Sequence, residues 1–222
     1  MMDWLLHGIL AIAALLVCVI PHEVSHGYVA YRLGDPTAKA AGRLTANPIP
    51  HLDPIGSFLV PGMLIVLGQF TGVPLVFGWA KPVPVNANHF RGDPWRGMLL
   101  VALAGPGANL AMAGATAVIG RGLVAAGFTL QVPLLFLALV VLYSLVLAFF
   151  NSVPVPPLDG SRVLAYFLPP KWRMLLSQLE PYGMFIILAL LMVGGLSLVF
   201  RLASGLWSYL LGFEWALHAG LM

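Results

Sequence analysis

Residues 4–26 read WLLHGILAIAALLVCVIPHEVSH, a long apolar run that ends in three ionisable side chains within one helical turn. The apolar run continues to about residue 31, which exceeds the roughly 20 residues that an α-helix needs to cross a bilayer. It begins without a basic segment, and no cleavage site of small residues precedes the polar cluster, so we interpret it as a retained helix rather than a signal peptide. The stretch therefore predicts a membrane-spanning helix that carries polar chemistry.

The composition of the chain also indicates a membrane protein. Hydrophobic residues make up 60% of its 222 residues and charged residues only 9%, whereas about 25% of a typical soluble domain is charged. Because so few charges cannot cover a surface that faces water, the lipid bilayer is the expected surrounding. The sequence contains no basic run interleaved with aromatic residues, the pattern that would indicate nucleic-acid binding. The single cysteine, Cys18, excludes an internal disulfide.

Further apolar segments predict an all-α polytopic membrane protein with about four to six transmembrane helices. Segments 97–120, 132–150 and 181–200 are each long and apolar enough to span the bilayer. Segment 202–221 carries interfacial aromatic residues, so it is either a last span or a helix near the membrane surface.

Two segments with many prolines and glycines are expected to be irregular. Segment 55–77 is apolar but interrupted, which favours a re-entrant element, and the stretch near 40–50 predicts a small β-hairpin or ribbon. Every connection is too short for a second domain. We therefore predict one membrane-embedded domain over 1–222, with a core at about 4–165 and C-terminal helices at about 180–221.

The polar cluster HEVSH at 22–26 has the spacing of a two-histidine metal site. Residues i and i+4 lie on one face of a helix, so His22 and His26 can direct two imidazoles at one ion. Glu23 lies beside them, where its carboxylate can act on a metal-bound water as a general base. Ionisable groups within a membrane helix are by default functional, although a helix end that emerges into water would also be polar. The cluster predicts a zinc centre.

Such a centre needs a third protein ligand and an open position for water. Among the eight acidic residues, Asp159 is the best placed, because it follows the apolar segment 132–150 in the proline-rich stretch NSVPVPPLDG at 151–160. Irregular backbone at membrane depth is tolerated where it is buried in protein or lines a cavity. Asp159 is therefore the candidate third ligand.

Other polar residues are weaker candidates. Asn109 and Asn151 could donate hydrogen bonds to the oxyanion of a reaction intermediate, but each could equally be an amide that packs between helices. His51 and His89 lie in loops, where histidines are usually solvated.

These motifs together resemble the site-2 protease family of intramembrane zinc metalloproteases. Besides HEVSH and NSVPVPPLDG, the similar stretches are GRLTANPIPHLDPIG at 42–56, GWAKPVPVN at 78–86 and AGPGAN at 104–109, so that the resemblance covers about 20–165. It is closest to the compact prokaryotic branch without PDZ or CBS domains, although Ser161 stands where a second glycine is common. The resemblance implies one zinc ion per chain, with Asp159 as the third ligand, and regulated cleavage of single-span membrane proteins within the bilayer.

The ligands must meet at one depth, which constrains the topology. If the first helix runs from outside to cytoplasm, then 132–150 must also run inward and 97–120 outward. Segment 55–77 must in that case be re-entrant or cross twice. This topology places nine of the eleven basic residues inside, as the positive-inside rule favours: Arg32, Lys39, Arg43, Lys81, Arg91, Arg96, Arg162, Lys171 and Arg173. It predicts a multi-pass protein of the inner membrane, with its site toward the cytoplasm.

Two other functions stay open on the sequence alone. A membrane metal transporter or metal-sensing protein would also need histidine and aspartate in the bilayer, but it would carry several such groups along a path. A catalytically idle scaffold would not need Glu23. The expected partners are the bilayer and single-span substrates, with a homo-oligomer or a regulatory membrane partner also open.

Overall fold

The structure, a computed structural model, describes residues 2–60, 62, 63, 66 and 80–221. This part of the chain folds into α-helices joined by turns, short 3₁₀ and π-helices and an irregular segment at 80–93, and it contains no β-strand. The helices are α1 (Met2–Arg32), α2 (Thr37–Ala40), α3 (Pro94–Ala125), α4 (Gln131–Asn151), α5 (Asp159–Phe167), α6 (Pro170–Gln178), α7 (Gly183–Met192) and α8 (Ser197–His218). The all-α prediction is confirmed for these residues.

Four segments of the described chain are long and apolar enough to cross a membrane, which fits a multi-pass membrane protein. They are Leu5–Arg32, Pro94–Ala125, Gln131–Asn151 and Pro170–Met192. The first three agree with the predicted spans. The fourth differs from the predicted segment 181–200, because α7 ends at Met192 and Gly194 turns the chain with a φ of 72°. That left-handed backbone conformation favours glycine and divides the apolar run between two helices.

The centre of the molecule is formed by α1, α3 and α4, which pack against one another, and α8 covers α3 and α4. Trp215 of α8 is buried, and its indole N–H donates a 3.1 Å hydrogen bond to the Leu134 carbonyl. Gly120 of α3 faces this ring, since a Cβ there would lie 2.3 Å from it. Because a buried indole N–H needs an acceptor, this contact fixes α8 on the bundle. The predicted segment 202–221 is thus mostly helical and packed on the bundle, with a kink at Gly212, whose φ is 71°.

The prediction of a β-hairpin or ribbon near 40–50 is wrong, because residues 40–50 form no strands. The chain there passes from α2 into a turn at Gly42, which has a φ of 66°, and then into a single 3₁₀ turn at Ile49–His51. Pro48 and Pro50 have no N–H group, so they cannot donate to a strand ladder. The turn is instead held by its own contacts, which include a 3.0 Å hydrogen bond between His51 Nε2 and the Thr45 carbonyl.

Most of segment 55–77 lies outside the described residues, and its re-entrant path stays a prediction. Its beginning is a short π-helix, Pro54–Leu59. The Asp53 carboxylate caps this helix by accepting hydrogen bonds from the N–H groups of Ile55 and Gly56, at 3.0 Å and 2.7 Å. The cap satisfies two of the N–H groups at the start of this helix that have no partner within the helix itself.

Candidate metal centre

Helix α1 places two imidazoles side by side, as the spacing of HEVSH predicts. The Nε2 atoms of His22 and His26 are 3.0 Å apart, and the two rings meet nearly at right angles, with an interplanar angle of 85°. Both side chains are buried. Two nitrogen ligands about 2.0 Å from one tetrahedral zinc ion would lie about 3.3 Å from each other, so the observed separation is close to that of a shared metal.

The carboxylate of Asp159 completes a triangle with these two nitrogen atoms. Its Oδ2 atom lies 3.2 Å from His22 Nε2 and 3.3 Å from His26 Nε2. The three residues are the group within the described chain whose donor atoms could hold a metal ion. Oδ2 is buried and makes no hydrogen bond to the described residues. A buried carboxylate oxygen without a donor is costly, and a zinc ion would satisfy it, so this donor set fits zinc.

The orientation of His26 is set by the backbone of α3. Its Nδ1 atom lies 2.6 Å from the buried carbonyl of Val101. A carbonyl can only accept, so Nδ1 carries the proton and Nε2 keeps its lone pair for a metal. Partners of this kind commonly orient the histidine ligands of metal sites.

Gly105 of α3 lies directly against both imidazoles. A Cβ at this position would be 2.4 Å from His26 Nε2 and 2.6 Å from His22 Cε1. The first glycine of AGPGAN therefore leaves the space that the two imidazole rings occupy. The sequence shows a glycine here, but it does not indicate that the atoms packed against this glycine belong to the metal centre.

Asp159 is positioned by close packing on both sides of its loop. A Cβ on Gly160 would lie 2.3 Å from the Ser152 carbonyl, so glycine lets α5 begin against the end of α4. A Cβ on Gly183 would lie 2.5 Å from the Pro156 carbonyl, so α7 packs on the same loop. The neighbouring Leu158 is buried in a cluster with Ile187 and Leu196. The C-terminal helices thus support the loop that carries the carboxylate.

Glu23 lies on the same turn as the histidines but does not belong to the triangle. Its Oε2 atom accepts a 2.9 Å hydrogen bond from the N–H of Val83. This bond joins α1 to a segment 60 positions further along the chain, and neither the spacing nor the composition of the sequence indicates it. The bond therefore holds the Glu23 carboxylate in place on the turn of α1 that carries both imidazoles.

The two asparagine candidates differ in their surroundings. Asn109 is fully buried one turn after Gly105, and neither atom of its amide has a hydrogen-bond partner among the described residues. Asn151 donates a 3.0 Å hydrogen bond to the Leu147 carbonyl of its own helix. Asn151 and Asp159 also line one cavity of about 90 Å³, which is bounded by apolar side chains of α3 and is large enough for ordered water. Their catalytic roles stay predictions.

Of the two loop histidines, His51 is less solvated than expected, whereas His89 is exposed as expected. His51 is fully buried, because the turn of residues 45–51 folds back over it. His89 is about half exposed, and its Nδ1 atom lies 3.0 Å from Oδ1 of the buried Asp35. Neither residue belongs to the donor triangle.

Two histidines and a carboxylate around one point, with a glutamate on the same turn of an apolar helix bundle, define a membrane-embedded metalloprotease. Comparison with known proteins agrees. The chain is 39% identical to "Putative zinc metalloprotease YwhC" of Bacillus subtilis over 188 residues. The aligned residues are 81% of this chain and 78% of that protein. It is 31% identical over 201 residues to "Putative zinc metalloprotease Rip2" of Mycolicibacterium smegmatis, with 85% and 69% of the two chains covered.

A third relative, "Putative zinc metalloprotease Rip2" of Mycobacterium tuberculosis, is 30% identical over 190 residues, which are 82% of this chain and 66% of that protein. No family model and no solved structure matches. The chain belongs to the site-2 protease family of zinc metalloproteases. It is a hydrolase whose metal is zinc.

Proposed function

We propose that the protein is an intramembrane zinc endopeptidase that cuts the transmembrane segment of single-span membrane proteins. The observation that carries this proposal is the triangle of His22, His26 and Asp159, whose donor atoms lie 3.0–3.3 Å apart on helices of a multi-pass bundle. We assign these three residues as the zinc ligands. A zinc ion bound there would lower the pKa of a bound water to about 7 and polarise the scissile carbonyl.

The side chains around the triangle supply the remaining steps. Glu23 accepts a proton from the attacking water and delivers it to the leaving amine, while the Val83 N–H keeps its carboxylate in place. Asn109 is the favoured donor to the oxyanion, because its amide makes no other hydrogen bond within the described chain. Asn151 would have to release the Leu147 carbonyl to do the same.

The substrate must unwind before it can be cut, because the peptide groups of a transmembrane helix are already hydrogen-bonded within the helix. The cavity beside Asp159 is a candidate route for the water that the reaction consumes. A homo-oligomer or a regulatory membrane partner would be a further means of control, and both stay proposals.

We propose an inner-membrane protein with its site toward the cytoplasm, and this orientation makes a labelling prediction. Cysteines introduced at the exposed positions Ala40 and Asn88 should react with a membrane-impermeant maleimide from the cytoplasmic side, and one at Thr129 only from the outside. The native Cys18 is buried and should stay unlabelled in the membrane. Labelling of positions 40 and 88 from opposite sides would contradict the proposed topology.

A metal transporter is the alternative function, and it predicts further metal-binding groups along a path. Within the described residues one such group is found, which favours the protease. Purified protein in liposomes should cleave a co-reconstituted single-span peptide and should not move zinc to a fluorescent indicator inside. Zinc uptake without cleavage would instead support the transporter.

A further inference from the structure

Residues 80–91, which we call the strap, cross α1 next to Glu23. Val83 of the strap is buried, and its N–H donates the 2.9 Å hydrogen bond to Glu23 Oε2. Gly27, one turn beyond Glu23, allows this approach, because a Cβ there would lie 2.7 Å from Val83 Cγ1. The position of the Glu23 carboxylate therefore depends on where the strap lies.

The strap is tied down at both ends. Near its beginning, the Lys81 N–H donates to the His51 carbonyl at 2.9 Å, and the Arg43 guanidinium donates to the Lys81 carbonyl. At its end, the Arg91 N–H donates to the Leu33 carbonyl at 2.7 Å. Between these ties, the largest number of bonds converges on one side chain, that of Asp35.

Asp35 lies three residues after the end of α1 and is fully buried. Its Oδ2 atom accepts the Asn86 N–H at 2.7 Å, which is the bond to the strap. Its Oδ1 atom accepts the Thr37 N–H and hydroxyl, and it lies 3.0 Å from His89 Nδ1. One carboxylate thus joins the C-terminal end of α1 to two residues of the strap.

The charge of Asp35 is compensated by these bonds. Burial by itself would raise its pKa, but the hydrogen bonds from Asn86, Thr37 and His89 outweigh that effect and lower the pKa to about 2. The side chain is therefore ionised at neutral pH, and its bonds to backbone N–H groups are of the strong, charge-assisted kind. Replacement of one carboxylate oxygen by an amide group would leave some of these partly buried donors without an acceptor.

We propose that Asp35 is a positioning residue for the general base: it fixes the strap so that the Val83 N–H holds Glu23 in its catalytic orientation. This inference rests on the proposed role of Glu23. It does not involve the metal ligands, because neither Asp35 nor the strap contacts His22, His26 or Asp159 through any hydrogen bond or ion pair described above.

The test measures kcat, KM and zinc content for the full-length zinc-loaded enzyme and its variants in liposomes. Asp35→Asn keeps the size of the side chain but loses the charge and one acceptor. We expect kcat to fall about tenfold with KM nearly unchanged, since Glu23 acts in the transition state, and we expect zinc to stay at one per chain. Thr37→Val, which removes one hydroxyl donor to Asp35, should change kcat less, in the same direction. Asp93→Asn is the control, because asparagine caps a helix as well as aspartate does, and it should leave both constants unchanged.

A double-mutant cycle distinguishes positioning from general destabilisation. Val83→Pro removes the N–H that donates a hydrogen bond to Glu23, so this change alone should lower kcat. If Asp35 acts through that N–H, Asp35→Asn combined with Val83→Pro should lose no more than Val83→Pro alone. The inference would be overturned if the double variant lost kcat by the product of the two single losses. A change in KM without one in kcat, or loss of zinc from Asp35→Asn, would also overturn it. If Asp35→Asn fails to fold, the same cycle with Thr37→Val decides it. Retained cleavage by Glu23→Gln would instead refute the base role itself, whatever the Asp35 variants show.

Discussion

Replacing Gly105 with alanine is expected to remove zinc from the protein and with it the proteolytic activity. The added methyl group would lie 2.4 Å from His26 Nε2 and 2.6 Å from His22 Cε1, closer than real Cβ contacts come. The rings cannot both stay in the triangle, since His26 is also held by the Val101 carbonyl. We expect the affinity for zinc to fall by more than about 100-fold, the upper end of the effect of residues that orient metal-bound histidines.

The matched control is Gly107→Ala, two residues along the same helix, where a Cβ would meet nothing within 4 Å. Alanine should be tolerated there and should favour the helix by up to about 1 kcal/mol. Metal analysis of both purified variants, with circular dichroism to verify folding, gives the comparison. One zinc ion per chain in folded Gly105→Ala would show that position 105 of α3 does not lie against the two imidazole rings.

Replacing Glu23 with glutamine is expected to leave zinc in place and to abolish cleavage. Glutamine has nearly the same shape, and its amide oxygen can still accept the Val83 N–H, but it cannot take a proton from water. General acid–base catalysis contributes about 10²–10⁴ in rate, so a loss of that size is expected in kcat. Because Glu23 lies outside the donor triangle, zinc content should not change.

Rates under single-turnover conditions and metal content of the same samples test this prediction. Glu214→Gln, an equivalent change at an exposed position of α8, should behave as the wild type does. Wild-type rates from Glu23→Gln would contradict the base role. Loss of zinc from Glu23→Gln would show that Glu23 holds the metal centre together rather than moving a proton.

The parts of the site that depend on local geometry could be predicted from the sequence. His22 and His26 meet because residues i and i+4 of any helix share a face, and the apolar run ensures that the helix forms. Asp159 could be selected because it follows a predicted span in a proline-rich, irregular stretch, and because the family resemblance implies the same ligand. The structure brings the three side chains together as this argument expects.

The parts that depend on long-range packing could not be predicted. The sequence shows that position 105 is a glycine, but it does not show which side chains pack against that glycine. Likewise, the Val83 N–H is one of many backbone donors until the strap is placed against Glu23. The ribbon near 40–50 was an error of a different kind, because Pro48 and Pro50 favour turns as well as extended chain, and turns form.

The most direct test of the account is the position of the cut in a single-span substrate. Wild-type protein loaded with zinc and the Glu23→Gln variant would each be reconstituted in liposomes with the same peptide, and the fragments would be identified by mass spectrometry. We predict a single major cut inside the apolar span, toward its cytoplasmic end, made by the wild type and not by Glu23→Gln. Cleavage confined to the water-exposed flanks of the peptide, or the same fragments from both proteins, would contradict an intramembrane zinc protease that depends on Glu23.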